Sequence, residues 1–278
     1  MQEESLAKIA SLLERLLDPP TLHAPDWSLA QAWRLRQQPL RLEAIRHISS
    51  LRFDDLKEID AQKARFRRNL EAFVQGRAAN HVLLSGSRGT GKSSLVKAAL
   101  NEWPELRLVE LAKTDLVELG RLSELVAGRP ERFLVFCDDL SFSSDEVGYQ
   151  ALKSVLDGST ATPADNLLIV ATSNRRHLMP EPIKDNLDTV KMPGGEIHPG
   201  EAIEEKISLS ERFGLWISFY PFGQDEYLAI VDVWLRHFGI EPSDALRSQA
   251  LVWALERGSR SGRVAHQFAR DVAGCADD

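Results

Sequence analysis

The stretch Gly86-Ser-Arg-Gly-Thr-Gly-Lys92-Ser93 decides the fold, because it has the spacing G-x-x-x-x-G-K-[ST]. Loops of this spacing wrap backbone N–H groups around a polyphosphate, while the lysine neutralises the β and γ oxygens and the hydroxyl ligates Mg²⁺. The flanks suit this role: Val82–Leu84 predicts a buried strand, and Ser94–Leu100 predicts a helix whose N-terminus favours an anion. A glycine-rich turn before a helix is the alternative interpretation, and the strand–loop–helix context argues against it.

This motif predicts that the chain binds ATP with Mg²⁺. The residues assigned to nucleotide binding are Gly86, Ser87, Arg88, Gly89, Thr90, Gly91, Lys92, Ser93 and Ser94.

Length and composition limit the classes of protein that fit. The 278 residues suffice for one large or two smaller domains, and the two cysteines imply no disulfide framework. The N-terminus is acidic, no apolar run is long enough to span a bilayer, and we expect a cytoplasmic protein without a membrane partner. With 34 basic and 41 acidic residues the net charge is −7, which disfavours tight autonomous binding of nucleic acid but leaves room for a local basic patch.

The residues before the phosphate loop predict helices. We interpret residues 1–50 as an N-terminal helical extension, with one helix over 5–17 and a second from about 28 to 48 that breaks near Pro39. A third helix is predicted over 61–75, with Gly76 as its C-terminal cap.

From residue 82 onward strands and helices alternate, which predicts a doubly wound α/β domain over 51–220. Its helices are expected near 93–102, 114–127 and 145–156. Three helices, at about 224–238, 243–256 and 262–273, predict a small helical domain over 221–278. The segment 179–200 is rich in Pro and Gly and is expected to be a functional or disordered loop. The predicted strands are Val82–Leu84, Leu106–Leu111, Phe133–Cys137, Leu167–Ala171 and Trp216–Phe219.

Two apolar strands end in polar side chains where ligands of open α/β sheets bind. Asp138 and Asp139 follow Phe133–Cys137, and we assign Asp138, with Ser93, to Mg²⁺ and Asp139 to the attacking water. Asn174 follows Leu167–Ala171 and can contact the γ-phosphate and that water. A capped turn is the alternative for the two aspartates, and their position after the phosphate loop favours a catalytic role. Taken alone, an asparagine at the end of a strand is more often a turn residue.

Two arginines, Arg212 in Ser208-Leu-Ser-Glu-Arg-Phe-Gly214 and Arg263 in Ser261-Gly-Arg-Val-Ala265, are candidates for stabilising charge on the γ-phosphate. A solvated surface arginine is the alternative for each, and it is the family resemblance named in the next paragraph that favours the catalytic role. The predicted catalytic set is therefore Lys92, Asp139, Asn174, Arg212 and Arg263.

In combination these motifs resemble an AAA+ ATPase over roughly residues 50–275. The stretches Val82–Ala98, Thr172–Leu178 and Ser259–Arg263 are similar to a bacterial family of predicted AAA+ ATPases of undescribed function. The resemblance implies a P-loop NTPase sheet of order 5-1-4-3-2, with nucleotide bound between the α/β core and a helical lid. It also implies the roles of sensor 1 for Asn174, an arginine finger acting on a neighbouring copy for Arg212, and sensor 2 for Arg263.

One motif departs from many relatives, which have Asp-Glu where this chain has Asp138-Asp139. Initiator-like AAA+ proteins can have Asp-Asp, and Glu211-Arg-Phe-Gly214 is similar to a segment of theirs. This suggests kinship with initiators or helicase loaders.

Three functions are compatible with these residues. The first is a homo-oligomeric ATPase that couples hydrolysis at subunit interfaces to conformational work on an unidentified protein partner. The alternative is an ATP-gated module of the initiator or helicase-loader kind, acting on DNA or a replisome partner with slow turnover. The third is a nucleotide-binding scaffold with a decayed site, and the intact motif residues argue against it.

Overall fold

Nine strands form two sheets in the described part of the chain. The computed structural model describes residues 21–141, 147–157, 164–174, 190–191, 197–198 and 211–275. The strands are β1 (Ala32–Gln37), β2 (Leu40–Ala44), β3 (Val82–Gly86), β4 (Leu106–Leu111), β5 (Arg132–Cys137), β6 (Leu167–Ser173), β7 (Val190–Lys191), β8 (Ile197–His198) and β9 (Leu215–Phe219).

The main sheet has seven strands in the order β2-β1-β4-β5-β6-β3-β9. All neighbours pair in parallel except β1 and β2, which are antiparallel. The five strands predicted from the sequence occupy the order 5-1-4-3-2, with β9 as the fifth strand beside β3. The α/β fold class is therefore confirmed, and β1 and β2 extend the predicted sheet at its far edge.

Seven α-helices accompany the strands among the described residues. Three C-terminal helices form the predicted lid, and Ser243 caps the second of them by accepting a hydrogen bond from the N–H of Leu246 (3.3 Å). The predicted helix over 114–127 begins as a 3₁₀ helix, Lys113–Glu118. The helices are α1 (Asp60–Val74), α2 (Lys92–Glu102), α3 (Leu119–Val126), α4 (Val147–Asp157), α5 (Gln224–His237), α6 (Asp244–Glu256) and α7 (Gly262–Cys275).

The predicted helix at 28–48 is wrong, because this segment forms the antiparallel hairpin of β1 and β2. Along the hairpin, buried Trp33, Leu35, Leu40 and Leu42 are separated by more exposed arginines and a glutamate, which is the period of two expected of a strand. Arg, Gln, Leu and Glu are good helix formers, so their propensity obscured this alternation. Since β1 pairs with β4, the main sheet starts before residue 51, and the N-terminal extension of 1–50 is not wholly helical.

Two apolar clusters cover the two faces of the main sheet. One contains Leu83 and Ile169 together with residues of the helices α3 and α4. The other contains Leu84 and Val170, whose side chains lie on the opposite face, and it continues into the lid through Val264. The lid therefore shares a continuous apolar core with the sheet, and the predicted boundary at residue 221 stays a prediction.

Several expectations concern residues outside those described. The helix predicted over 5–17 lies outside them entirely, and so does most of the segment 179–200. Within that segment, Val190–Lys191 and Ile197–His198 form an antiparallel pair. Among the described residues, no helix is long and apolar enough to cross a bilayer.

Candidate nucleotide-binding site

The loop from Gly86 to Gly91 links the end of β3 to the start of α2, and its glycines allow a path that other residues would obstruct. Gly86 has a φ of 123°, and a Cβ there would lie 1.9 Å from the carbonyl oxygen of Phe219 on the neighbouring strand. Gly89 has a φ of 70°, and a Cβ there would lie 2.8 Å from the side chain of Ser261 in the lid. The glycine spacing therefore reflects close contact with both the sheet and the lid.

Lys92 is the first residue of α2, and its side chain folds back onto the phosphate loop. Its Nζ donates to the carbonyl oxygens of Gly86 (2.8 Å) and Ser87 (2.6 Å), and the residue is 5% exposed. Burial lowers the pKa of Lys92 to about 8, and the negative charges of Asp138 and Asp139 oppose this shift only in part. An anion in the cleft would favour the protonated lysine, since opposite charge stabilises the charged form.

Asp138 lies just beyond β5, and its side chain makes hydrogen bonds to both α2 and β6. Its Oδ1 accepts hydrogen bonds from the hydroxyls of Ser93 (2.7 Å) and Thr172 (2.5 Å). A hydroxyl and a carboxylate in contact form a pair of hard oxygen ligands, which suits Mg²⁺ when water and phosphate complete the coordination. The residues that are present therefore fit a magnesium ion held by Ser93 and Asp138.

Asp139 and Asn174 are brought together at the same edge of the sheet. Asn174 Nδ2 donates to Asp139 Oδ1 (2.5 Å), and the N–H of Asp139 donates to Thr172 Oγ1 (2.8 Å). Asp139 has a φ of 53°, in the left-handed region that costs free energy for a residue with a side chain. Such a conformation, held by hydrogen bonds, is often found at functional positions, and here the bond from Asn174 orients the carboxylate.

The lid meets the phosphate loop through backbone atoms. The N–H of Gly262, at the start of α7, donates to the carbonyl oxygen of Gly89 (2.8 Å). Arg263, the next residue, lines the same cleft of about 660 Å³ as Lys92, Asp138 and Asn174. The structure therefore brings the predicted site residues of the loop, the two strand ends and the lid to one region.

The lining of the cleft also includes apolar and aromatic side chains that were not predicted from the sequence. Burial lowers the pKa of His266, with Arg270 and His237 acting in the same direction, so this ring is neutral at pH 7. A neutral aromatic and apolar lining suits the flat ring of a nucleotide base. This lining includes Leu51, Leu56, Ile59, Phe222, Ile230, Trp234 and His266.

No sequence motif points to the apolar lining, because its members come from two separate loops, α5 and α7. Thr172 was also not assigned to the site, although it contacts both aspartates. Its position two residues before Asn174, at the polar tip of a buried strand, was an available signal.

Arg212 is not among the described residues that line this cleft. It precedes β9, whose first residue Leu215 pairs with Val82, whereas the phosphate loop begins at the opposite end of β3. The two ends of β3, at Val82 and Gly86, are four residues apart, which corresponds to about 13 Å along the strand. Arg212 instead forms an ion pair with Asp157 at the end of α4.

Residues 27–276 match the model of the family described as "Protein of unknown function (DUF815)", and the chain belongs to this family. Its sequence is also 30% identical over 125 residues to a Holliday junction branch migration complex subunit RuvB from a Nocardioides species. That match covers 40% of this chain and 34% of the relative, so the chain corresponds to about a third of that protein.

Solved structures show the same fold. The Thermotoga maritima RuvB Holliday junction branch migration motor superposes with a TM-score of 0.52 at 16% identity, covering 79% of this chain and 63% of the motor. The FIGL-1 AAA domain in complex with ADP has a TM-score of 0.50 at 17% identity, covering 82% of this chain and 74% of that domain. The chain therefore has the fold of AAA+ ATPases.

Proposed function

We propose that this member of the DUF815 family is a Mg²⁺-dependent ATPase. The observation that carries the proposal is the convergence, in one cleft, of a buried lysine, a hydroxyl–carboxylate pair and a carboxylate oriented by an amide. The ADP-bound FIGL-1 AAA domain, which has the same fold, supports a nucleotide as the ligand.

Binding of the triphosphate would use groups that the fold already presents. The loop backbone and the N-terminus of α2 offer N–H donors and a favourable dipole. Lys92 adds a positive charge, and its two bonds to loop carbonyls fix where that charge lies. Mg²⁺, held by Ser93 and Asp138, would neutralise charge on the phosphate oxygens. The apolar and aromatic side chains that line the cleft would hold the base.

Hydrolysis would depend on Asp139 and Asn174. Asp139 would accept a proton from the attacking water, and Asn174, bonded to its Oδ1, would keep the carboxylate in place. The N–H bond from Asp139 to Thr172 holds the left-handed backbone of Asp139, which carries this carboxylate. A fixed base is effective because little reorganisation is needed during the reaction.

The two arginines have different proposed roles. Arg263 lies beside the backbone bond between the lid and the loop, so it would contact the phosphates from the same copy and couple them to the lid. Arg212 lies near the ends of the strands that point away from the cleft of its own copy, so it would serve the cleft of a neighbouring copy. The active form would therefore be a homo-oligomer with shared sites, as the family resemblance implies.

The consequence of turnover would be conformational work on a macromolecular partner, transmitted through the lid. A DNA-linked role is the second candidate, because a curated relative is a subunit of a Holliday junction branch migration complex. The net charge of −7 weighs against tight autonomous DNA binding. Hydrolysis that is stimulated by DNA, and whose stimulation falls steeply with salt, would favour the second candidate.

The proposal is tested with two variants of the site. Lys92→Ala should lose ATP binding in calorimetry, because the cleft loses its buried positive charge. Asp139→Asn should retain ATP binding and lose about 10²- to 10⁴-fold in kcat, the usual contribution of a general base. Asp271→Asn, an exposed carboxylate on α7 that does not line the cleft, is the matched control and should behave like the wild type.

Either of two results would contradict this proposal. One is an absence of affinity for adenine nucleotides when Mg²⁺ is present. The other is a wild-type rate of hydrolysis in Asp139→Asn.

A further inference from the structure

The chain that leads into α1 forms one wall of the nucleotide cleft, and we call its residues 51–59 the wall segment. Ile59 lies beside the phosphate loop, since its Cδ1 would be 3.3 Å from a Cβ on Gly91. Because the phosphate loop and the two strand ends would take the phosphates, the nucleoside would lie against the rest of the lining, which includes the wall segment. The residues of this segment that line the cleft are Leu51, Asp55, Leu56, Lys57 and Ile59.

The path of the wall segment needs support from other elements. Phe53 and Ile59 are 5% and 3% exposed, and they anchor the segment in the core at two points. Between these anchors, Glu58 has a φ of 62°, in the left-handed region that costs free energy for a residue with a side chain. Contacts from outside the segment must therefore hold this part of the backbone in place.

Lys63, the fourth residue of α1, supplies such contacts. Its Nζ donates to the carbonyl oxygens of Leu56 (2.6 Å) and Phe53 (3.4 Å), and it forms an ion pair with Asp60 (2.7 Å). An ammonium group has three N–H donors, so these three acceptors can use all of them. The Lys63 side chain is only 16% exposed, so it binds the two carbonyl oxygens from within the protein.

The ion pair with Asp60 does not by itself explain a lysine at this position. The Asp60 side chain is 85% exposed, and exposed ion pairs contribute little to stability. The N-terminus of a helix carries partial positive charge, which disfavours a cation nearby. The contacts of Lys63 with the two carbonyl oxygens of the wall segment do explain it.

Asn101, near the end of α2, holds the other end of the wall segment. Its Nδ2 donates to the carbonyl oxygens of Ser49 (2.8 Å) and Leu51 (2.7 Å). The segment is therefore bound by side chains of two helices, and neither Lys63 nor Asn101 lines the cleft itself.

We propose that Lys63 is a positioning residue of the nucleotide site: by binding the carbonyl oxygens of Phe53 and Leu56, it sets the shape of the wall that contacts the nucleoside. This inference rests on the proposed function, and specifically on a nucleotide in this cleft. It goes further by naming a side chain outside the cleft on which recognition of the nucleoside depends.

The test compares ATP with inorganic tripolyphosphate, which has no nucleoside. Lys63→Met keeps a flexible chain but removes every donor, so the wall segment must be ordered when the nucleotide binds. The Kd for ATP with Mg²⁺, measured by calorimetry, should rise by about 3- to 10-fold. The Kd for tripolyphosphate with Mg²⁺ should stay unchanged, because the phosphate loop is intact. In turnover assays the KM for ATP should rise while kcat stays unchanged.

Two further variants test the same wall. Lys63→Arg keeps the positive charge but presents its donors in a planar fork, so its Kd for ATP should lie between those of Lys63→Met and the wild type. Asn101→Ala releases the other end of the wall segment and should also weaken ATP binding selectively. Asn101 is exposed and lies on a different helix, so this variant provides the test if Lys63→Met does not fold.

Gln31 provides a matched control. Its Nε2 also donates to two backbone carbonyl oxygens, those of Leu100 (2.6 Å) and Trp103 (3.1 Å), and neither residue lines the cleft. Gln31→Ala should leave the Kd values for ATP and tripolyphosphate unchanged. If it weakens ATP binding as much as Lys63→Met does, the effect reflects general destabilisation, and the proposal is overturned.

The outcomes separate this inference from the function on which it rests. An unchanged Kd for ATP in Lys63→Met and Asn101→Ala would overturn the positioning role alone. Equal losses for ATP and tripolyphosphate in Lys63→Met, or a lower kcat with an unchanged KM, would also overturn it, because the damage would then extend beyond the wall that contacts the nucleoside. A wild type without affinity for ATP would overturn the proposed function, and the role of Lys63 with it.

Discussion

His81, the residue directly before β3, should make the stability of the fold depend on pH. Its Nδ1 accepts a hydrogen bond from the N–H of Ile169 (3.1 Å), so the ring must be unprotonated at that nitrogen. Burial lowers the pKa of His81 from 6.5 to about 4. Protonation would put a hydrogen on Nδ1 of His81. That hydrogen would face the N–H of Ile169, so two donors would meet and the hydrogen bond would be lost.

The sign and size of the effect follow from these values. Because the folded-state pKa is depressed, the unfolded chain binds the proton more readily, so the contribution of His81 is complete above about pH 6.5. It declines as the pH falls from 6.5 towards 4. At pH 5 the loss in the free energy of unfolding should be about 2 kcal/mol.

The assay is urea unfolding followed by circular dichroism at pH 7.5 and pH 5.0, for the wild type and for His81→Gln. The variant cannot titrate, so the wild type should lose about 2 kcal/mol more than the variant between the two pH values. Carboxylates that titrate in this range affect both proteins and cancel in the difference. The exposed His47→Gln is the control and should follow the wild type. Equal losses in wild type and His81→Gln would refute the reasoning.

Two further predictions concern the phosphate loop. Gly86→Ala would place a Cβ 1.9 Å from the carbonyl oxygen of Phe219, so β9 must shift. We therefore expect weaker ATP binding by calorimetry and a lower melting temperature. Gly274→Ala is the control and should change neither, because a Cβ there meets nothing within 4 Å. Because the pKa of Lys92 is about 8, ATP binding at pH 8.5 should take up protons, seen as a binding enthalpy that varies with the ionisation enthalpy of the buffer. Lys92→Arg keeps its charge at this pH and should not show this variation, and its presence there would assign the proton to another group.

The sequence was sufficient to predict those elements whose local pattern of apolar residues fits only one kind of secondary structure. The apolar runs before Gly86, Asp138 and Asn174 are too short for helices and are buried on both faces, so their assignment as parallel strands is confirmed. Their polar ends necessarily meet at one edge of a parallel sheet. This is why Ser93 and Asp138 could be paired from the sequence, and their hydroxyl–carboxylate distance is 2.7 Å.

The β1–β2 hairpin was missed because two signals conflict there. Its Arg, Gln, Leu and Glu residues favour a helix in isolation, but pairing with β4 makes the alternation of Trp33 and Leu35 with arginines the dominant factor. That pairing is a long-range contact, which local propensity does not contain. The apolar lining of the cleft was missed for a similar reason, since Leu51, Phe222 and His266 come from three separate segments.

The β1–β2 hairpin also determines where the chain can be shortened. β1 provides the backbone partners of Leu108, Val109 and Glu110, and Trp27 packs edge-on against Phe133 at a ring distance of 4.7 Å. A shortened chain that starts at residue 51 would leave the outer edge of β4 unpaired, and such an edge invites intermolecular pairing and insoluble product. A soluble minimal version must therefore begin no later than Trp27.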